Sequence, residues 1–197
     1  MHSIGLILAS NSPRRKTLLE QIGLKFRVIP SQIAEPIFEG GSPQEYALGL
    51  ASAKAEEVSK LYPQALVLGA DTIVVVDELV LGKPADVSDA YSMLKLLSGR
   101  SHEVITAYSL QLKDKQITQA NFVSTQVHFK ILSDAEIQRY IDSGSPFDKA
   151  GSYGIQDYSS VFVDRIDGCF YNVVGLPLSD LNSKLKQLLF KNHFELK

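Results

Sequence analysis

"LVLGADTIVVV", residues 66–76, is apolar almost throughout and runs directly into the polar pair "DE". A run of this length without alternation reads as a strand buried on both faces, as in the interior of a helix-covered sheet. One residue breaks the pattern. Asp71 stands in the middle, where aspartate is a poor strand former and a buried carboxylate is costly unless paired. Gly69 and Ala70 clear space beside it. A structural ion pair or a strand-end cap is the ordinary explanation. Near several basic residues, a general base or a metal ligand is the other.

Outward from this strand, helices and strands alternate on the N-terminal side. Residues 4–9 read as a buried strand. Ser12 is placed to cap the next helix and Pro13 to occupy its first position, with Leu18, Leu19 and Ile22 sharing one face. "KFRVIP", 25–30, reads as a second strand, and 31–42 as a loop. Ser42 and Glu45 have the spacing of a capping box at the start of a long helix. Beyond "DE", "LVLGKP" leads to a helix from about Ser88, with Gly99 as its C-terminal cap. Strands over 102–113 and 116–130 flank "KDKQ". Ser133 and Glu136 open another capped helix, which Gly144 closes. Residues 145–160 read as a polar loop and 160–174, "SVFVDRIDGCFYNVV", as a hairpin. Pro177 starts a last helix with Leu181, Leu185, Leu188 and Leu189 on one stripe. Alternation followed by hairpins favours a mixed α/β sheet over a purely parallel one.

The totals set bounds. A chain of 197 residues suits one domain or two closely joined lobes. With 45% hydrophobic residues it can build a substantial core, and a net charge of −2 argues against binding to a nucleic acid polymer. Anion binding must therefore come from local placement of basic residues. Cys169 is the only cysteine, so no intrachain disulfide forms, which fits a cytoplasmic location. The run 4–9 is too short for a signal-peptide core or a membrane span.

Several basic residues sit where packing does not call for them. Arg14 and Arg15 occupy the first turn of a helix, where the dipole disfavours each cation by about 0.3–1 kcal/mol. Two solvated arginines beside neighbouring carboxylates is the plain reading. A bound phosphate, accepting from helix N-terminal amides and from the Ser10 or Ser12 hydroxyl, is the sharper one. Lys54 lies near the centre of the apolar stripe formed by Ala47, Leu50, Ala51 and Val58, where it needs an anion. Lys83, between Gly82 and Pro84, is either aimed by that backbone or an ordinary solvated turn residue. Gln156, ending "DKAGSYGIQ", presents one donor and one acceptor, a match for the N3–H and O4 edge of uracil or thymine; otherwise it is a polar loop residue. The chain has no G-x-x-x-x-G-K-[ST] loop, no H-E-x-x-H and no G-x-G-x-x-G.

Taken together, "ASNSPRRKTLLEQIG", "GADTIVVVDELVLGKP", "MLKLLSGRSHEVITA" and "DKAGSYGIQ…VVGLPL" resemble the Maf family of nucleoside triphosphate pyrophosphatases. The likeness runs over nearly the whole chain and implies a single Maf-like domain over 1–197. The implied fold is α/β: an elongated mixed β-sheet with flanking helices, in two lobes around a cleft, like the inosine triphosphate pyrophosphatases. The implied reaction is hydrolysis of a nucleoside triphosphate to the monophosphate and pyrophosphate with a divalent metal cation, Mg2+, Mn2+ or Co2+. Asp71 matches the family's proton acceptor; Arg14, Thr72 and Gln156 match its substrate-specificity positions. The "YGIQ" form resembles the branch acting on dTTP and UTP rather than on 7-methyl-GTP. Three positions depart from the family pattern. Ala34 stands where an aspartate is usual, leaving Glu35 as the loop's acid; Gly49 replaces a common arginine; Asp157 replaces a glycine after Gln156.

The mechanism expected from this resemblance is water attack on the α-phosphorus. Asp71 acts as base or metal ligand, Glu35 as a second metal ligand, and Ser10, Ser12, Arg14, Arg15, Lys54 and Lys83 bind phosphate. A non-catalytic nucleotide-binding regulator of cell division, or a pyrophosphatase for 7-methyl-GTP, is the alternative. Family members often form dimers, so a homodimer is among the expected states.

Overall fold

The structure, a computed structural model, describes residues 2–197. The strand read over 66–76 is present as β4, Leu66–Val76, with all but one of its residues buried. Strand β2 (Leu6–Leu8) pairs parallel to it, and β3 (Arg27–Val28) pairs parallel to β2. Beyond β4 come β6 (Ser101–Leu112), β7 (Ile117–Phe129) and β8 (Val163–Asp167). The order is β3-β2-β4-β6-β7-β8, with β5 (Leu79–Leu81) hairpinned antiparallel onto β4 and β8 antiparallel to β7. The sheet is thus mixed, as the alternating then hairpinned sequence requires. The β4–β5 turn is made by Asp77 (φ 47°) and Glu78 (φ 65°), two left-handed residues in succession, the backbone of a tight hairpin.

The chain divides into two compact units. The first comprises 1–71, 106–123 and 175–197, and the second 72–105 and 124–174; β4, β6 and β7 each contribute residues to both. In the first unit, helix α1 (Pro13–Gln21) is capped by Ser12, with Pro13 at its first position. Helix α2 (Pro43–Leu61) is capped by Ser42, which accepts from the Glu45 amide. Ala55 and Val58 of α2 pack with Ile7, Ala9 and Val67 in a buried cluster. The expected strand over 4–9 is two strands broken at Gly5: β2, and β1 (His2–Ile4), which pairs parallel with the C-terminal β9 (Phe194–Leu196). Sequence pattern gives no sign of β9, because the strand it pairs with lies nearly two hundred residues away.

In the second unit, α3 (Val87–Leu97) and α4 (Asp134–Asp142) cover a core that includes Val74, Leu94, Val104, Phe129, Tyr140, Tyr153 and Phe162. Ser133 and Glu136 complete a reciprocal capping box on α4. The hairpin expected over 160–174 is not formed. Residues 158–162 are a 3-10 turn, β8 pairs with β7, and 170–174 form a short helix, α5 (Phe170–Val174). The aromatic and β-branched composition of this segment is strand-like, yet Gly168 at φ 133° turns the chain. Buried Asn172 then donates to the Val104 carbonyl (2.8 Å) and to Thr125 Oγ1 (3.0 Å). Those tertiary bonds override local propensity. The final helix, α6 (Leu178–Lys191), begins just after Pro177 and buries Leu181, Leu185 and Leu188.

His102 is buried in the second core, bonded to the Tyr153 hydroxyl at 2.7 Å, and burial followed by His128 nearby pulls its pKa down from 6.5 to about 4. A histidine held neutral when folded but free to protonate when unfolded favours unfolding in acid. Its contribution is therefore present above pH 6.5 and is lost as pH falls towards 4. Urea unfolding across that interval should show stability falling with pH, and the slope should shrink in His102→Asn.

Candidate functional site

The geometry around Asp71 begins with Gly69. A Cβ at Gly69 would lie 2.3 Å from the Ala51 carbonyl oxygen and 2.6 Å from the Ala55 amide nitrogen. Only glycine lets α2 lie this close on β4. Residues two apart on a strand share a face, so Asp71 faces the helix that Gly69 admits. Lys54, on α2 between Ala51 and Ala55, meets it there: Nζ donates to Asp71 Oδ1 at 2.6 Å. The same ammonium lies 2.6 Å from Glu35 Oε1. The Lys54 and Asp71 side chains are largely buried, while Glu35 is half exposed. The anion that Lys54 requires is thus supplied by the protein itself. Burial pushes the Asp71 pKa up; Lys54 and then Arg15 oppose the rise, and Glu35 adds to it.

Glu35 sits on a loop tied to α2 at two points. The Tyr46 hydroxyl donates to the Pro36 carbonyl at 2.8 Å. Glu57 accepts from the Ser31 hydroxyl and, at 2.8 Å, from the Gln32 amide. Tyr46, Leu50 and Lys54 are spaced four apart, so one helix face both fixes this loop and carries the lysine. Tyr46 and Glu57 were not singled out from sequence; that i, i+4 spacing was the available signal for Tyr46. Burial, then the charges of Asp71 and Glu35, raise the Tyr46 pKa and keep the phenol a donor.

The two arginines part company. Arg15 turns inward: Nε donates to the Gly175 carbonyl and an Nη to Ser10 Oγ, both at 3.0 Å. Ser10 also accepts from the Ser12 amide at 3.2 Å, and Ser12 accepts from the Arg15 amide. Ser10, Ser12 and Arg15 therefore form a network that fixes the start of α1. This internal bonding explains one of the two cations at the helix start without any ligand. Arg14 is half exposed.

The other expected site residues belong to the second unit. Thr72 follows Asp71 on β4 and is partly exposed. Lys83 is exposed on the segment after β5, and the Gly82 carbonyl accepts from the Gly151 amide at 3.0 Å. That bond joins the "LGKP" segment to the "DKAGSYGIQ" loop. Gly151, at φ 64°, would place a Cβ 3.0 Å from Val74, so glycine is required for the loop to seat. Gln156 is exposed within a turn closed by the Asp157 amide on the Gly154 carbonyl, 3.1 Å.

Among the described residues, no group of three or more His, Cys, Asp or Glu could by itself hold a metal ion. Asp71 and Glu35 do converge on one cation, the Lys54 ammonium. Two carboxylates fit a small divalent ion when phosphate oxygens and water complete its shell. Among the described residues, no helix is long and apolar enough to cross a membrane.

Comparison with known proteins gives a consistent result. A family model described as Maf-like protein matches residues 5–188. The chain is 50% identical over 172 residues, 87% of its length and 91% of the relative's, to a dTTP/UTP pyrophosphatase from Syntrophomonas wolfei. It is 50% identical over 184 residues, 93% of its length and 95% of the relative's, to a dTTP/UTP pyrophosphatase from Ruminiclostridium cellulolyticum. Among solved structures, a HAM1 protein from Coxiella burnetii shares the fold, with TM-score 0.52 and 15% identity, covering 95% of this chain and 100% of that one.

Proposed function

Because the chain belongs to the Maf-like protein family, we propose that it is a nucleoside triphosphate pyrophosphatase, hydrolysing dTTP and UTP to the monophosphate and pyrophosphate. The observation that carries this reading is the buried Asp71 carboxylate, held by Lys54 with its pKa pushed up. A carboxylate so placed is a stronger base than one in water. In the reaction proposed, water attacks the α-phosphorus and the bond from that phosphorus to the bridging oxygen breaks. Asp71 takes a proton from the water, and pyrophosphate leaves. Lys54, Arg14 and Lys83 bind the triphosphate and stabilise charge developing on the leaving group.

Arg15, Ser10 and Ser12 are assigned to shaping the start of α1, whose amides are then set for phosphate. Gln156 and Thr72 are assigned to base selection, Gln156 through its amide. Glu35 and Asp71 would hold a divalent cation, Mg2+, Mn2+ or Co2+, together with substrate phosphate oxygens; bound there it neutralises phosphate charge. We take residues 1–197 as one functional domain, since the family match includes both units.

The test is direct. Purified protein is mixed with magnesium or manganese and a panel of nucleotides, and pyrophosphate is assayed. Release from dTTP and UTP ahead of dCTP, CTP and 7-methyl-GTP is expected. Orthophosphate instead of pyrophosphate would indicate a phosphatase, and no release from any nucleotide would favour a binding regulator.

A further inference from the structure

Asp157 stands where the resemblance leads one to expect glycine, immediately after the glutamine assigned to the base. From sequence, it places a carboxylate beside the base. In the structure its carboxylate is engaged elsewhere. Oδ1 accepts from the Ser159 amide at 2.9 Å and from the Ser159 hydroxyl at 2.6 Å. The Tyr140 hydroxyl on α4 donates to the same carboxylate, 3.1 Å from Oδ2. Oδ2 also lies 3.2 Å from Lys149 Nζ. The second unit's core thus grips this side chain through a fully buried serine and a buried tyrosine.

The same grip reaches the turn that carries Gln156. Ser159 Oγ, its one proton given to Asp157, accepts from the Gly154 amide at 2.9 Å. The Asp157 amide closes the turn on the Gly154 carbonyl. At the other side, the stem of Lys149 lies across Gly154, where a Cβ would be 2.7 Å from its Cδ and Cε. Gly154 and Asp157, the two ends of the turn, are therefore both fixed, and Ile155 and Gln156 form its tip.

We propose that Asp157 is a positioning residue for base discrimination: it locks the Gly154–Asp157 turn so that Gln156 is presented at one place. The inference rests on the assignment of Gln156 to the base. A glutamine amide alone does not tell uracil from cytosine, because turned over it matches the reversed donor and acceptor pattern. The amide turns over about its own last torsion, so selection also requires the side chain to meet the base edge at one fixed place, which the backbone beneath it sets. Asp157 bonds Ser159, Tyr140 and Lys149, and the Asp71–Lys54 pair lies in the first unit, so that pair is left in place when Asp157 is changed.

The experiment compares wild type, Asp157→Ala and Asp157→Asn by pyrophosphate release from UTP and CTP, with thermal unfolding of each. For Asp157→Ala, KM for UTP should rise roughly tenfold, the UTP-to-CTP ratio of kcat/KM should fall roughly tenfold, and kcat for UTP should hold within about twofold. Asp157→Asn keeps an oxygen for Ser159 and loses the charge facing Lys149, so it should recover part of the ratio. Should the alanine variant fail to fold, the asparagine variant alone decides, with a reduced ratio expected. A ratio unchanged in the folded variants, or a loss confined to kcat, overturns the positioning role while leaving the pyrophosphatase reading intact. A wild type that releases nothing from either nucleotide overturns that reading and this inference with it.

Discussion

Asp71→Asn is expected to bind nucleotide within a few-fold of wild type while turnover falls about 10²–10⁴-fold, the usual worth of a positioned base. The substitution preserves shape and leaves an amide oxygen that can accept from Lys54, which sits 2.6 Å from Asp71. Removing one member of a buried ion pair can cost about 3–5 kcal/mol when the other charge is left uncompensated. Here Glu35 also reaches the ammonium, so Lys54 keeps an anionic partner and the variant should fold. The pH profile gives a second reading. A base acts in its ionised form, and burial pushes the Asp71 pKa above the ordinary 3.8. Wild-type kcat/KM should decline as pH falls through that raised value, and the residual activity of the variant should lack this acid limb. Near-normal turnover in Asp71→Asn would remove this carboxylate from the mechanism.

Gly69→Ala should damage both the fold and the site. The added methyl meets the Ala51 carbonyl at 2.3 Å and the Ala55 amide at 2.6 Å. Both are helix backbone, which cannot turn aside as a side chain can, so α2 must move away from β4. Overpacking of this kind typically costs about 1–3 kcal/mol, which for a chain of this size lowers Tm by roughly 2–12 °C. The movement also draws Lys54, between those two alanines, away from Asp71. KM for nucleotide should then rise and turnover fall together. A variant with unchanged Tm and unchanged kinetics would show that the close approach of α2 does not matter. Ala70, next along the strand, offers a control: Ala70→Gly removes a methyl from the other face and leaves the α2 contact as it is.

The buried strand through 66–76 was legible because its unbroken apolar run is rich in β-branched valine and isoleucine and ends at a turn pair. The helix starts at Pro13, Pro43 and Asp134 were legible for a different reason: the serine caps Ser12, Ser42 and Ser133 are local signals acting over three residues. What sequence could not reveal depends on distant partners. The β1–β9 pairing and the Asn172 bonds to Val104 and Thr125 are of this kind. The same division holds in the site. Lys54 and Asp71 were each conspicuous as charges in apolar surroundings, and the structure pairs them. Arg14 and Arg15 were indistinguishable on paper. The carbonyl of Gly175, far along the chain, and Ser10 Oγ take the inward-facing one.

The unit holding Asp71 and Lys54 is assembled from 1–71, 106–123 and 175–197, while the other unit is complete once residue 174 has been made. On the ribosome, the second unit can therefore settle first, although residues 1–71 of the first are made before it. Until the final segment emerges, Arg15 lacks its Gly175 acceptor and β1 lacks β9. A chain released early carries every acidic and basic group of the site in its covalent sequence, without the frame that would make them a catalyst. Residues 175–197 are what completes that frame.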